Sequence, residues 1–260
     1  MKALSAVLLL APLLPLRAQI DYRNLDGGRP LETADAAPLE HRTLELRLPY
    51  SFHSAGSGAS LHLVSPSLSA GVLPGLEFDA GLTGAATSGG DLSVAQAFAD
   101  VTASLTTESG SWPALAITGA LIIPTDVIAG RGSVGGAGLV ATRTLGYTRI
   151  HFDGGLGIGR QQTSSLVATG SRWWAGAAVD RTLFRQSLLL VAALRASREV
   201  SGAPTGVTAG AGIRWQFSPV VVLDAGSTVR ASHAGAPGFA LSVGLSREWS
   251  WAGRRPAGAQ

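Results

Sequence analysis

Hydrophobic and polar residues alternate with a two-residue period through most of the chain beyond residue 40. From His41 to Phe52, Leu44, Leu46, Leu48, Tyr50 and Phe52 share one face, while Thr43, Glu45, Arg47 and Ser51 share the other. The period repeats over Leu76–Leu82, Val94–Thr107, Tyr147–Gly159, Arg172–Asp180, Val207–Phe217, Val221–Arg230 and Phe239–Trp251. Such alternation belongs to strands with one apolar and one polar face. Ala114–Pro124 is nearly all apolar, and we place Leu115, Ile117, Leu121 and Ile123 outward. Leu139–Leu145 forms a hairpin with Tyr147–Gly159 about Leu145-Gly146. Two segments are poorly patterned. Leu61–Val72 contains Pro66 and several serines, and Leu188–Ala196 is blurred by Leu188-Leu189-Leu190-Val191. Together these segments predict about twelve strands, each near the roughly 9 to 11 residues that cross a bilayer when tilted.

The links between segments alternate in length. Ser54–Gly58, Thr87–Asp91, Thr125–Gly136, Gln161–Gly170, Val200–Thr205 and His233–Pro237 are mostly long. Those at Leu73-Pro74-Gly75, Glu108–Pro113, Leu145-Gly146, Phe184–Gln186 and Ser218-Pro219 are shorter. Long external loops, short periplasmic turns and an even strand count describe an antiparallel transmembrane β-barrel. Charge placement agrees. Glu45, Arg47, Glu77, Asp79, Asp100, Arg149, His151, Asp153, Asp180, Arg214, Asp224, Arg230 and Glu248 oppose the apolar face, and Arg247, near a strand end, departs from the rule. A lipid-facing Arg at the midplane costs about 2 to 4 kcal/mol, so a bilayer enforces this separation. The solvated outer face of a soluble barrel would show the same parity.

Composition narrows the class. Charged residues are 14% and hydrophobic ones 46% of the chain, against roughly 25% charged in soluble domains. The longest apolar run, Ala3–Leu16, follows Met1-Lys2 and precedes Leu16-Arg17-Ala18. This is the pattern of a secretory leader cleaved after Ala18. The expected organisation is therefore a signal peptide over 1–18, a periplasmic pre-barrel segment over 19–40, a barrel over 41–251 and a C-terminal tail over 252–260. Loss of Lys2 and Arg17 with the leader brings the 20 basic residues close to parity with the 17 acidic ones. With no stretch clustering Arg and aromatic residues on one face, nucleic-acid binding is not expected. The absence of Cys removes disulfides, thiolate metal sites and a lipid-attachment cysteine.

The expected partners are outer-membrane lipid, the barrel-assembly machinery, which reads an aromatic-rich final strand such as Phe239–Trp251, and a small-molecule solute. Glu45, Arg47, Glu77, Asp79, Arg149, His151, Asp153, Arg214 and Asp224 are the candidate lumen-lining residues. Trp173, Trp215, Trp249 and Trp251 are the candidate membrane-interface aromatics. Neither cofactor nor metal is expected, because His41, His53, His62, His151 and His233 lack metal-ligand spacing. His151 and Asp153 share a face and read as a lumenal hydrogen-bonding pair, with a Ser-His-acid hydrolase as the sharper alternative. Gly154-Gly155-Leu156-Gly157-Ile158-Gly159 lacks the Lys-Ser/Thr of a phosphate loop and reads as strand glycine.

Asp26 to Ala36 with Glu45-Leu46, Leu73 to Glu77, Ala141 to Thr144, Trp174 to Asp180 and Leu223 to Gly226 resemble the outer-membrane β-barrel transporter family associated with the meta-pathway of phenol degradation. The resemblance spans almost the whole mature chain. It implies a channel for small hydrophobic or aromatic compounds and carries over no site residues. The expectation is thus a passive outer-membrane channel and not an enzyme. The alternatives are a non-conducting structural barrel and a lipid or ester hydrolase built on His151.

Overall fold

The computed structural model describes residues 25, 29–54, 60–88, 90, 92–125, 131–162, 167–184, 187–198, 204–232 and 238–251. The expected leader and C-terminal tail lie outside the described residues, as do most of the links expected over 54–58, 200–205 and 233–237 and the middle, 163–166, of the one over 161–170. Thirteen strands follow in chain order: β1 (Thr43–Ser54), β2 (Ser60–Val64), β3 (Ser67–Leu73), β4 (Leu76–Thr87), β5 (Ser93–Thr106), β6 (Ala114–Pro124), β7 (Arg131–Leu145), β8 (Thr148–Gln162), β9 (Val167–Leu183), β10 (Leu188–Arg198), β11 (Gly206–Ser218), β12 (Val221–Ser232) and β13 (Gly238–Ser250). They form one antiparallel sheet that closes when β13 pairs with β1, from Thr43 opposite Ser250 to Ser54 opposite Phe239. Because β2 and β3 lie end to end between β1 and β4, the barrel has twelve staves.

The break in that stave falls at Ser65-Pro66. Proline has no N–H to give to a ladder, yet neighbouring bonds bridge the gap: Ser65 N donates to Pro49 O and Leu82 N to Pro66 O, both at 3.1 Å. Two links expected to be long are shortened by strand. β7 already runs from Arg131, so 131–136 is ladder, and β8 and β9 extend to Gln162 and back to Val167. Glycine and small residues there weaken the alternation without preventing pairing. Pro74-Gly75, Gly146-Tyr147 and Pro219-Val220 are tight turns at the opposite end. Gly75 and Gly146 take φ of 75° and 65° there, which residues with a Cβ adopt at a cost.

Outward positions are almost uniformly apolar and exposed, including Leu48, Phe78, Leu82, Ile117, Leu121, Leu156, Leu194, Ile213, Leu241 and Val243. A continuous apolar belt of this extent is a surface made for lipid. Aromatic residues gather at its edges. Trp215, Phe217, Trp249 and Trp251 sit at the short-turn end with Trp112, Tyr147 and Phe184 from the turns. Trp173, with Tyr50, Phe52 and Phe239, lies toward the long-loop end. Trp112 belongs to a folded β5–β6 turn held by Arg143, whose Nη1 donates to Trp112 O at 3.1 Å and pairs with Glu108 at 3.1 Å.

Candidate functional site

The inward face divides into two halves. Toward the short turns, the described part of the segment before β1, Leu25 and residues 29–40, packs inside the barrel. Leu25 and Leu31 form an apolar cluster with Leu189, Val191 and Val222, and Ala36 forms another with Ala116 and Val140. Pro30 lies against the same inner face at β11 and β12, where a Cβ on Gly212 would come within 2.8 Å of its ring. The segment thus touches β6, β7 and β10–β13 at once and fills this part of the lumen.

Its buried charged residues, Arg29 and Asp35, are paired with the wall. Arg29 Nη1 donates to Asp224 Oδ2 at 3.2 Å and to Ser246 Oγ at 2.8 Å, and its Nη2 lies 3.7 Å from Glu45. Asp35 accepts from Arg149 Nη1 at 3.0 Å, while its two oxygens also take Leu25 N and Ala37 N at 3.3 and 2.9 Å. One carboxylate therefore both shapes the segment and fastens it. Leu39 N donates to Glu77 Oε2 at 2.8 Å. Buried charges are tolerated where each has such a partner.

The nine candidate lumen-lining residues all face inward. Glu45, Arg47, Glu77 and Asp79 form one group: Arg47 Nη2 bridges Glu45 and Glu77 at 3.0 and 3.1 Å, Asp79 lies 3.6 Å from Arg47 Nη1, and Ser69 donates to Asp79. Arg149, Asp180 and His151 form a second. Arg149 Nη2 meets Asp180 Oδ2 at 2.7 Å, and His151 Nε2 meets the same oxygen at 2.8 Å. Thr142 Oγ1 lies 3.0 Å from His151 Nδ1 and accepts Ala36 N at 2.9 Å. An ionised carboxylate only accepts, so His151 Nε2–H donates to Asp180, and Nδ1 shares a hydrogen bond with the Thr142 hydroxyl. Arg214, only 1% exposed, has no hydrogen-bond partner for Nε or Nη1 among the described residues.

The pairing expected between His151 and Asp153 is not formed. Two positions along one strand separate side chains by about 7 Å, whereas cross-strand neighbours stand closer. His151 therefore takes Asp180 from β9, and Asp153 faces Arg195 Nη1 of β10 at 3.4 Å. With both ring nitrogens engaged and the side chain fully buried, His151 serves as a junction of the network.

Toward the long loops the lumen opens. A cavity of about 550 Å³ lies between the segment and the wall, bordered by Arg47, Glu77, Asp79, Asp153 and Asp224 on its short-turn side. Further along it meets Ser51, Phe98, Ile122, Trp174 and Arg195. Trp174 lies on a bed of glycines: a Cβ on Gly155 would come within 2.3 Å of its ring, and one on Gly138 within 3.0 Å. The glycine-rich stretch of β8 thus makes room for an indole. Arg195 stacks over that indole with Cζ 5.6 Å from a ring centroid, and its Nη1 donates to Glu32 O at 2.9 Å. Arg29, Asp35 and Thr142 entered the sequence reading only through the family resemblance, without a structural role, and Arg195 did not enter it. The signal available was an aperiodic segment whose apolar and charged residues need partners, opposite a strand apolar on both faces at Leu188–Val191.

No family model matches this sequence, and no curated protein matches it. Solved structures do resemble the fold. An outer-membrane channel from Pseudomonas putida F1 superposes with a TM-score of 0.66 at 12% identity, covering 83% of this chain and 98% of that one. The KdgM porin, solved with disordered oligogalacturonate, gives 0.55 at 10% identity over 80% and 99% of the two chains. The NanC porin gives 0.55 at 9% identity over 78% and 98%. At these identities the likeness is one of fold, and the fold is that of outer-membrane channel barrels.

Proposed function

We propose that this protein is a bacterial outer-membrane channel that passes small solutes by diffusion, with the described part of its pre-barrel segment, Leu25 and residues 29–40, lying in the lumen toward the periplasmic side. The observation that carries this reading is a closed barrel with an apolar exterior around a cavity of about 550 Å³ bordered by charged side chains. The channel barrels of similar fold support it, as does the resemblance to transporters associated with the meta-pathway of phenol degradation. That resemblance makes hydrophobic or aromatic compounds the first solutes to test. The nine inward residues would set selectivity by holding the segment in place and by bordering the cavity. Insertion would use the barrel-assembly machinery, acting on Phe239–Trp251. Trp173, Trp215, Trp249 and Trp251 would sit at the lipid interface.

A second reading, a non-conducting structural barrel, is favoured by the same segment, because its charges pair off and it fills the short-turn half. Single-channel conductance of the refolded mature chain, beside a variant lacking residues 19–40, decides between them. Discrete steps in the full chain, or only in the shortened one, are the expected result. Silence from both, with folding verified by heat-modifiable gel migration, would leave the structural barrel.

A further inference from the structure

The apolar belt around the barrel is not evenly filled. Across the outer face of β9 to β12, the register sets Val179, Ala192, Ala211 and Ser227 side by side, with Arg181, Leu190, Ile213 and Ala225 in the next row toward the short turns. The rows beyond carry Leu194 and Val229 on the loop side and Trp215 and Leu223 on the turn side. Small side chains between larger ones leave a groove of about 630 Å³ on the exterior. That lies within the roughly 300 to 1,000 Å³ of small-molecule sites.

Arg181 borders this groove and is exposed on the lipid side of the wall. Its neighbours across the ladder are Thr148 and Leu190, and it has no hydrogen-bond or ion-pair partner among the described residues. Asp180, the adjacent residue, faces the lumen, where Arg149 and His151 hold it. The other outward strand arginines described at this end are engaged: Arg143 pairs with Glu108, and Arg247 lies over Trp249 with Cζ 5.2 Å from a ring centroid. Arg181 stands two residues from the end of β9, with Tyr147 and Phe184 exposed in the turns beside it. Aromatic residues mark the bilayer–water interface. At that depth, on the periplasmic side, a lipid-facing arginine costs little and its guanidinium reaches the headgroups.

We infer that this groove seats one anionic glycerophospholipid of the periplasmic leaflet, with its phosphate on Arg181 and an acyl chain over Ala192, Ala211 and Ala225. A guanidinium fork binds phosphate oxygens in pairs. Charge decides between a lipid and a second copy of this chain as the occupant. Every Asp and Glu within the thirteen strands faces inward, buried or bordering the lumenal cavity. The strands of a second copy therefore offer Arg181 no carboxylate, whereas a lipid brings its own anion. The inference rests on the barrel spanning an outer membrane and is independent of conduction.

The test uses the full mature chain refolded in detergent. Phosphatidylglycerol and phosphatidylcholine of identical acyl chains are titrated in, and retained lipid is counted by native mass spectrometry. One phosphatidylglycerol should be retained per barrel, with phosphatidylcholine held at least tenfold more weakly. Arg181→Gln should weaken phosphatidylglycerol retention tenfold or more, and Arg181→Lys should recover most of it. Ala192→Leu with Ala211→Leu fills the groove with side chains suited to lipid and should weaken retention as much, with the charge still in place. Arg143→Gln, outside the groove, should change nothing, and heat-modifiable migration reports the folding of each variant. Equal retention of the two lipids would overturn the site, as would phosphatidylglycerol retention unchanged in Arg181→Gln or in the leucine pair. A mass of two chains that reverts to one in the leucine pair would also overturn it, by giving the groove to a second copy.

Discussion

The two halves of the lumen are made from the same strands and are filled differently. In the short-turn half, acids and bases are matched: Arg29 with Asp224, Arg47 with Glu45 and Glu77, Arg149 with Asp35 and Asp180. These groups are buried and hold a piece of chain in place. In the long-loop half the segment leaves a cavity, and the guanidinium described beside it, Arg195, is shared between Glu32 and Asp153. Charge matched within the protein builds structure, and the lumen that the segment leaves unfilled is the part open to a solute. A net-charge count over the whole chain, nearly balanced, hides this division.

The comparison can be broken most severely at Asp180. Asp180→Ala removes the acceptor shared by Arg149 and His151 and should destabilise the barrel by about 3 to 5 kcal/mol. Equilibrium urea unfolding in lipid vesicles reads this, and an unmoved midpoint would mean that these pairs do not hold the short-turn half. Leu31→Ala should loosen the segment by about 2 to 3 kcal/mol, since it empties part of the Leu25, Leu189, Val191 and Val222 cluster. Faster proteolysis of the segment, with unchanged heat-modifiable migration, is the expected signature.

Gly155→Ala probes the boundary between the halves. Its new Cβ would lie 2.3 Å from the Trp174 ring, so the indole must move, at about 1 to 3 kcal/mol. Near-ultraviolet circular dichroism should change, and an identical spectrum would show slack in the glycine bed. The smallest effect belongs outside the lumen. Arg143→Ala breaks a pair whose side chains are 31% and 29% exposed and should cost less than about 1 kcal/mol. A larger loss would mean that the β5–β6 turn matters to the barrel as buried charges do.

The sequence made the wall legible and its contents much less so. Alternation placed the strands because lipid on one side and polar partners on the other impose different residues. Where that contrast fails, the reading fails with it. Leu189 and Val191 are apolar and inward because Leu25 and Leu31 cover them, so both faces of β10 are greasy for different reasons. Pro66 divides one stave into β2 and β3. Glycines blur the start of β7 because Gly136 and Gly138 lie beneath Trp174. Inward charges were recognised as a set, but partners depend on register. His151 is two residues from Asp153 and binds Asp180, almost thirty residues away. The roles of Arg29 and Asp35 were hidden because an aperiodic segment shows what it carries and not what it will touch.

The seam between β1 and β13 bears on how the barrel forms. Every other stave pairs with its neighbour in sequence, so hairpins can add one after another with little entropy spent on closing large loops. Only the seam joins the two ends of the strand order, and it does so in a full ladder from Thr43–Ser250 to Ser54–Phe239. Until that ladder forms, two edges of unpaired backbone face hydrocarbon, a state lipid strongly disfavours. Closure is therefore the one non-local strand pairing in folding, and a chain shortened within β13 should stall there, with every earlier hairpin in place.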